Sequence, residues 1–153
     1  MHASQIVAST STSLAGFVRA QGGEPILLGV AADNIASLKE AAAAARDADV
    51  LVTIGGASVG EHDLVQTALK EEGLEVDFWK IAMRPGKPLM VGKLGKSQVL
   101  GLPGNPVSSL VCALLFLRPL LYALQGRAGA LPDLSSMPAL APISSNGVRQ
   151  DYM

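Results

Sequence analysis

Two glycine-rich stretches constrain this chain more than any other feature. Gly55-Gly56-Ala57-Ser58-Val59-Gly60-Glu61-His62-Asp63 follows the apolar run Val50-Leu51-Val52-Thr53-Ile54, and Gly101-Leu102-Pro103-Gly104-Asn105-Pro106-Val107-Ser108 follows Val99-Leu100. Each apolar run reads as a buried strand, and each glycine stretch leads into a helical pattern. A strand, a tight glycine turn and a helix start together place backbone N–H groups against an anion at the carboxyl edge of a sheet. Two such turns in one small domain predict a single ligand gripped from both sides.

The rest of the composition narrows the class. A length of 153 residues suits one domain with a real core. The chain is 49% hydrophobic but only 4% aromatic, so that core is aliphatic. A net charge of −1 lacks the clustered basic excess of a nucleic-acid binder. The single cysteine, Cys112, excludes an internal disulfide, fits a reducing compartment and sits in an apolar helical run, where it reads as packing. Arg118 and Pro119 interrupt the apolar stretch Leu110 to Leu124, which therefore does not read as a membrane span. Met1-His2-Ala3-Ser4-Gln5 has neither the cationic nor the apolar part of a secretory signal, so a cytoplasmic location is expected.

Strand and helix patterns alternate along the chain. A helix is expected from about Thr12 to Gln21, stopped by Gly22-Gly23. A strand is expected over Pro25-Ile26-Leu27-Leu28-Gly29-Val30, and then a helix from Asn34 to Arg46 with Asp33 as its cap. Strand Val50 to Ile54 and helix Asp63 to Glu72 follow. Glu75 to Ile81 reads as extended, Arg84-Pro85-Gly86-Lys87-Pro88 as a loop, and Leu89-Met90-Val91 with Gln98-Val99-Leu100 as a hairpin. The last helix runs from Pro106 to about Leu124 with Asn105 as cap, and Pro119 kinks or divides it. This order predicts an α/β fold with a mostly parallel sheet covered on both faces and a small hairpin. Residues 127–153 read as a linker after a domain spanning 1–126.

The candidate site collects around the two turns. Gly55 and Gly56 let the backbone approach a ligand, Ser58 offers a hydroxyl, and Gly60 continues the turn. Asp63 has two readings, a helix cap or a carboxylate that holds Mg²⁺ or acts on a leaving phosphate. Asp33 follows the strand expected to end at Val30, so it could reach the carboxyl edge as well as cap its helix, and the two roles can coexist. At the second turn Pro103, Gly104, Asn105 and Pro106 open a helix whose free N–H groups favour an anion, with Ser108 in its first turn. Lys80, Arg84 and Lys87, three cations in a stretch held by Pro85 and Pro88, read either as a solvated loop or as an arm for an anionic substrate. With only His2 and His62 available, neither a zinc site nor a Ser-His-Asp triad is expected.

These motifs resemble a known family. Gly55 to Asp63, Phe78-Trp79-Lys80 with Met83-Arg84-Pro85-Gly86-Lys87-Pro88, and Gly101 to Ser108 are similar, in order and spacing, to the molybdopterin molybdenumtransferases, which include bacterial MoeA and the E domain of gephyrin. The resemblance runs from about Gln5 to Gly126 and implies a three-layer α/β/α molybdopterin-binding domain. It implies binding of adenylylated molybdopterin, release of AMP and insertion of molybdate into the dithiolene, with Mg²⁺ required. It puts the acidic roles on Asp33 and Asp63 and the proline loop on Pro103 and Pro106. Ser58 and Ser108 then hold the oxyanion, and Lys80, Arg84 and Lys87 lie beside the substrate's anionic groups.

Two departures qualify it. Ala8 and Thr10 stand where the family carries Asp and Asn, and its enzymes are much longer, so residues 127–153 are expected to be a linker and the start of a truncated β domain. A molybdopterin adenylyltransferase is the alternative enzyme, although Ala57 and His62 differ from its first turn. A non-catalytic ligand-binding or scaffold module is the alternative from another class. The long apolar final helix predicts a homo-oligomer, dimer or trimer.

Overall fold

The computed structural model of the chain describes residues 9–56, 63–128, 138, 140–142 and 147–152. Ser58 and Gly60, with the rest of 57–62, lie outside the described residues, as does Ala8.

Helix α1 (Ser9–Ala20) starts earlier than the periodicity predicts and ends where expected. Gly22 takes φ +85°, and the Gly23 N–H returns to the Val18 carbonyl at 3.0 Å, the bond that closes a left-handed C-terminal cap. Helix α2 (Ile35–Ala44) is capped by Asn34, whose side chain accepts from the Ser37 N–H at 2.9 Å. This corrects the cap expected at Asp33, which is exposed one residue upstream. Both residue types suit a cap, but the Ser37 N–H is at the third position only from Asn34.

Among the described residues, four strands form the main sheet: β1 (Val50–Ile54), β2 (Leu74–Trp79), β4 (Met90–Leu94) and β5 (Ser97–Leu102), in the order β1-β5-β4-β2. The β1–β5 pair is parallel, with Val50 opposite Gln98 and Ile54 opposite Leu102. The β4–β5 and β2–β4 pairs are antiparallel. The α/β reading holds, but among the described pairings the sheet is mixed, not mostly parallel. The expected hairpin is no appendage: β4 and β5 are its two central strands.

Among the described residues, Pro25 to Val30 forms no strand. This segment joins neither sheet of the described residues, and Ile26, Leu27, Leu28 and Val30 are exposed. Apolar pattern gives a segment the propensity to pair, but a strand exists only where another strand's edge is offered to it.

Side-chain alternation builds two cores. Leu100 and Leu102 of β5 pack with Leu14 of α1 and with Cys112, Ala113, Leu117 and Leu121 of the final helical run. Val99 and Leu51 point the other way, to Ala42, Ala45 and Leu69 of the α2 and α3 (Leu64–Glu71) layer. Helices thus cover both faces of the sheet.

A bulge changes this phase in β2. Val76 lies opposite Gly92, Phe78 opposite Val91 and Trp79 opposite Met90, so the register slips at Asp77. Leu74 and Val76 face the second core; beyond the bulge Trp79, not Phe78, joins them. Gly92 makes room for this, because a Cβ there would collide with the Glu75 carbonyl oxygen and lie 3.1 Å from Val76 Cα.

The final run is continuous: α4 (Pro106–Cys112), a π-helical turn (Ala113–Leu117) and α5 (Arg118–Leu124). The π turn sits just ahead of Pro119, which lacks an N–H and whose ring crowds the preceding turn; widening that turn accommodates it without a break. At 19 residues and a mean hydropathy of 1.9 the run is long and apolar enough to cross a membrane, but one of its faces is packed on the sheet. After it, β6 (Gln150–Asp151) pairs in parallel with β3 (Met83–Arg84), bringing the chain back onto the domain.

Two outcomes are expected. Gly92→Ala lowers stability by about 1–3 kcal/mol in urea unfolding, as backbone has to shift, whereas Gly95→Asn, at φ +59° in open space, changes it by well under that. Burial pushes the Cys112 thiol from its ordinary 9.0 up to about 11. The native state then keeps a proton that the unfolded chain releases, so stability falls as pH rises from about 9 towards 11. Cys112→Ala removes that slope in unfolding curves taken across this range.

Candidate functional site

Because β1 and β5 are parallel neighbours, both end on the same edge of the sheet, and each of the two glycine turns starts there. The Gly55 N–H bonds to the Leu102 carbonyl at 3.0 Å, extending the ladder by one step. Beyond it the turns meet backbone to backbone: a Cβ on Gly104 would lie 3.5 Å from Gly55 Cα. Gly55 and Gly56 take φ +79° and +70°, left-handed conformations in which a side chain is strained. At Gly56 a Cβ would also collide with Val65 Cγ2.

Each turn ends in a helix cap of different charge. Asp63 Oδ1 accepts from the N–H groups of Val65 at 3.0 Å and Gln66 at 3.2 Å, and the residue is buried. The cap reading of Asp63 is therefore realised, and its negative charge answers the positive end of α3. Asn105 Oδ1 accepts from Ser108 N–H at 3.1 Å and Ser108 Oγ at 3.3 Å. Pro106 at the first helical position has no N–H to satisfy. Asn105 is neutral, so the 19-residue run behind it keeps its positive field. The second turn is the one left to attract an anion.

Ser109, which the sequence does not single out, locks that turn. It is fully buried, and its hydroxyl reaches both the Pro103 carbonyl and, at 3.0 Å, the Asn105 carbonyl. A serine in the first helical turn after Asn-Pro is the only sequence signal for this, and Ser108 carries the same one.

The cationic stretch forms a second cluster. Lys80 and Lys87 line an open cavity of about 660 Å³ together with Ile81, Val148 and Arg149. Arg149 is the other residue that the sequence reading passes over; it arrives through the β3–β6 pairing. Arg84 is in β3 and does not line the cavity. Lys80 takes φ +73°, the one non-glycine residue in that region among those described. Its N–H is fixed on the Leu89 carbonyl at 2.9 Å. Gly86 lies buried at φ +112°, where a Cβ would be 2.6 Å from Cys112 Sγ, so the loop is wedged against α4.

The structure therefore joins Gly55, Gly56, Asp63, Gly104 and Asn105 at one edge, and Lys80 and Lys87 in one cavity. It leaves Asp33 exposed before α2. No group of three or more metal-ligating side chains converges among the described residues, and Asp63 Oδ1 is committed to its helix.

A three-layer α/β domain with a paired-turn, anion-receptive edge and a separate cationic cavity is the class that this geometry defines. Residues 1–123 match the family model described as a probable molybdopterin binding domain. The chain belongs to that family. It is 48% identical over 105 residues to the molybdopterin molybdenumtransferase of Haemophilus influenzae, covering 68% of this chain and 26% of the relative. It is 37% identical over 154 residues to the enzyme of that name from a Nostoc species, covering 97% of this chain and 35% of the relative. A solved molybdopterin biosynthesis MoeA protein from Pyrococcus horikosii superposes with a TM-score of 0.75 at 38% identity, over 84% of this chain and 32% of that one. The chain thus spans about a quarter to a third of the length of these relatives.

The strained turn gives a direct test. Gly56→Ala is expected to cost about 1–3 kcal/mol in unfolding measurements. Adding Val65→Ala relieves the collision, and about 1–2 kcal/mol of left-handed backbone strain remains. Additive losses in the double variant, with no relief, would show that Val65 does not limit this turn.

Proposed function

We propose that this chain is the molybdopterin-binding domain of a molybdenum-inserting transferase. In this reading it takes adenylylated molybdopterin and molybdate, AMP leaves, and molybdenum enters the dithiolene. The observation that carries the proposal is the meeting of the two glycine turns at one sheet edge, within a family matched over residues 1–123.

The chemistry asked of the edge is anion recognition beside a phosphoanhydride. Gly55, Gly56 and Gly104 offer close backbone approach, Pro103 and Pro106 hold the second turn rigid, and Asn105 with Ser108 opens the positive helix end. Ser58 and Gly60 are proposed to complete the first turn. Asp63 is the proposed general base toward the attacking oxygen at the phosphate, and Asp33 the proposed second acidic group. Lys80, Lys87 and Arg149 are proposed to neutralise the substrate's anionic groups in the cavity, with Arg84 on its border strand.

Assembly is part of the proposal. Val107, Leu110 and Leu114, spaced three and four apart, are 65%, 39% and 41% exposed on the final helical run. Such a stripe supports a homo-oligomer.

Titration of adenylylated molybdopterin into the purified chain tests the reading, with binding followed by calorimetry and AMP by chromatography. Binding with slow AMP release is expected. Lys87→Gln should weaken binding about ten-fold, the effect of one charge-assisted contact. Asp63→Asn, which keeps the cap, should leave binding near the parent level and suppress AMP release. A folded chain that binds neither this ligand nor molybdate overturns the proposal.

A further inference from the structure

We propose that Trp79 is a positioning residue, which holds the Lys80 ammonium at the mouth of the cationic cavity through its indole face. The inference rests on the reading of that cavity as the seat of the substrate's anionic groups.

Three observations carry it. The Lys80 Nζ lies 4.0 Å from the centroid of the Trp79 ring, a cation–π distance. The bulge at Asp77 is what puts the ring there, because it turns Trp79 instead of Phe78 toward Met90 and the second core. Phe78 is left 41% exposed. Then Lys80 takes φ +73°, a costly conformation for a side-chain-bearing residue, and this turns the chain out of the strand at the cavity lining. A bulge and a left-handed residue within four positions re-aim one side chain each, and the two re-aimed groups touch.

The arrangement has a use that packing alone does not require. A free lysine has four rotatable bonds, and ordering them to meet an anion costs conformational entropy. A ring beneath the ammonium limits that freedom before the ligand arrives. The indole face takes up one side of the ammonium, and the N–H donors of Lys80 that point away from the ring are left to meet an oxyanion. Trp79 thus acts through Lys80 and touches no substrate itself.

The experiment uses the intact chain with molybdate and inorganic pyrophosphate, each alone, as probes. Trp79 is the only tryptophan, so its emission reports on the ammonium above it, and a saturable change on addition of a bound anion is expected. By calorimetry Trp79→Leu should weaken anion binding about two- to five-fold, the range of an exposed cation–π contact, while Trp79→Phe retains most of it. In a Lys80→Gln background Trp79→Leu should have no further effect, a non-additivity that lost packing would not produce. Circular dichroism and thermal unfolding identify any variant that fails to fold, and Trp79→Phe then carries the comparison. If the parent binds an anion and Trp79→Leu binds it equally well, or the two substitutions add, positioning by Trp79 is wrong and the cavity reading stands. If the folded parent binds neither probe, the cavity reading fails and takes this inference with it.

Discussion

The parallel pairing of β1 with β5 is the constraint on which the rest of the site depends. Adjacent parallel strands deliver their C-terminal ends to the same edge; an antiparallel pair would send the two glycine turns to opposite sides of the sheet. The pairing is anchored before and after β1. The Gln98 N–H reaches the Asp49 carbonyl at 2.9 Å, and the Gly55 N–H reaches that of Leu102 at 3.0 Å. Both faces of the pair are covered, with Leu100 and Leu102 in one core and Leu51 and Val99 in the other. Apolar burial on two sides fixes the register, since a slip of one residue would exchange the faces. A fixed register then fixes which backbone groups meet at the edge.

Local chemistry made much of this legible. Asn-Pro before an apolar helical run identifies a capped start, and Asn105 caps α4 as read. Gly-Lys within an alternating pattern identifies a turn, and β4 and β5 flank Gly95-Lys96. The two glycine turns needed only strand, glycine and helix signals in series. What failed depends on partners. Pro25 to Val30 has the composition of a strand, yet no strand among the described residues pairs with it. Asp33 and Asn34 are chemically alike as caps, and only the position of the Ser37 N–H chose between them. The mixed sheet was hidden because the hairpin's place among the strands is a matter of tertiary packing.

The cationic cavity shows the same division more sharply. Lys80 and Lys87 are seven residues apart and could be suspected together, but Arg149 is 62 positions beyond Lys87 and comes in through a two-residue strand pair. Short parallel pairings have almost no sequence signature. The bulge at Asp77 is equally silent in β2 itself. Its trace is in the partner strand, where Gly92 lacks the Cβ that would strike Glu75.

The two halves of the site are nevertheless not independent, and the final helical run is why. Its first residues carry Asn105, Ser108 and Ser109, which shape the second glycine turn. One turn further on, Cys112 packs against Gly86, at the centre of the loop that presents Lys87. A single rigid element therefore sets the position of both the neutral helix cap and the cationic loop. Close-packed interiors have low compressibility and transmit strain. A change of volume at Gly86 or Cys112 would then be felt at the Pro103–Asn105 turn, although neither residue belongs to it. The site is held together less by contacts between its own polar groups than by one apolar strut that both of its parts share.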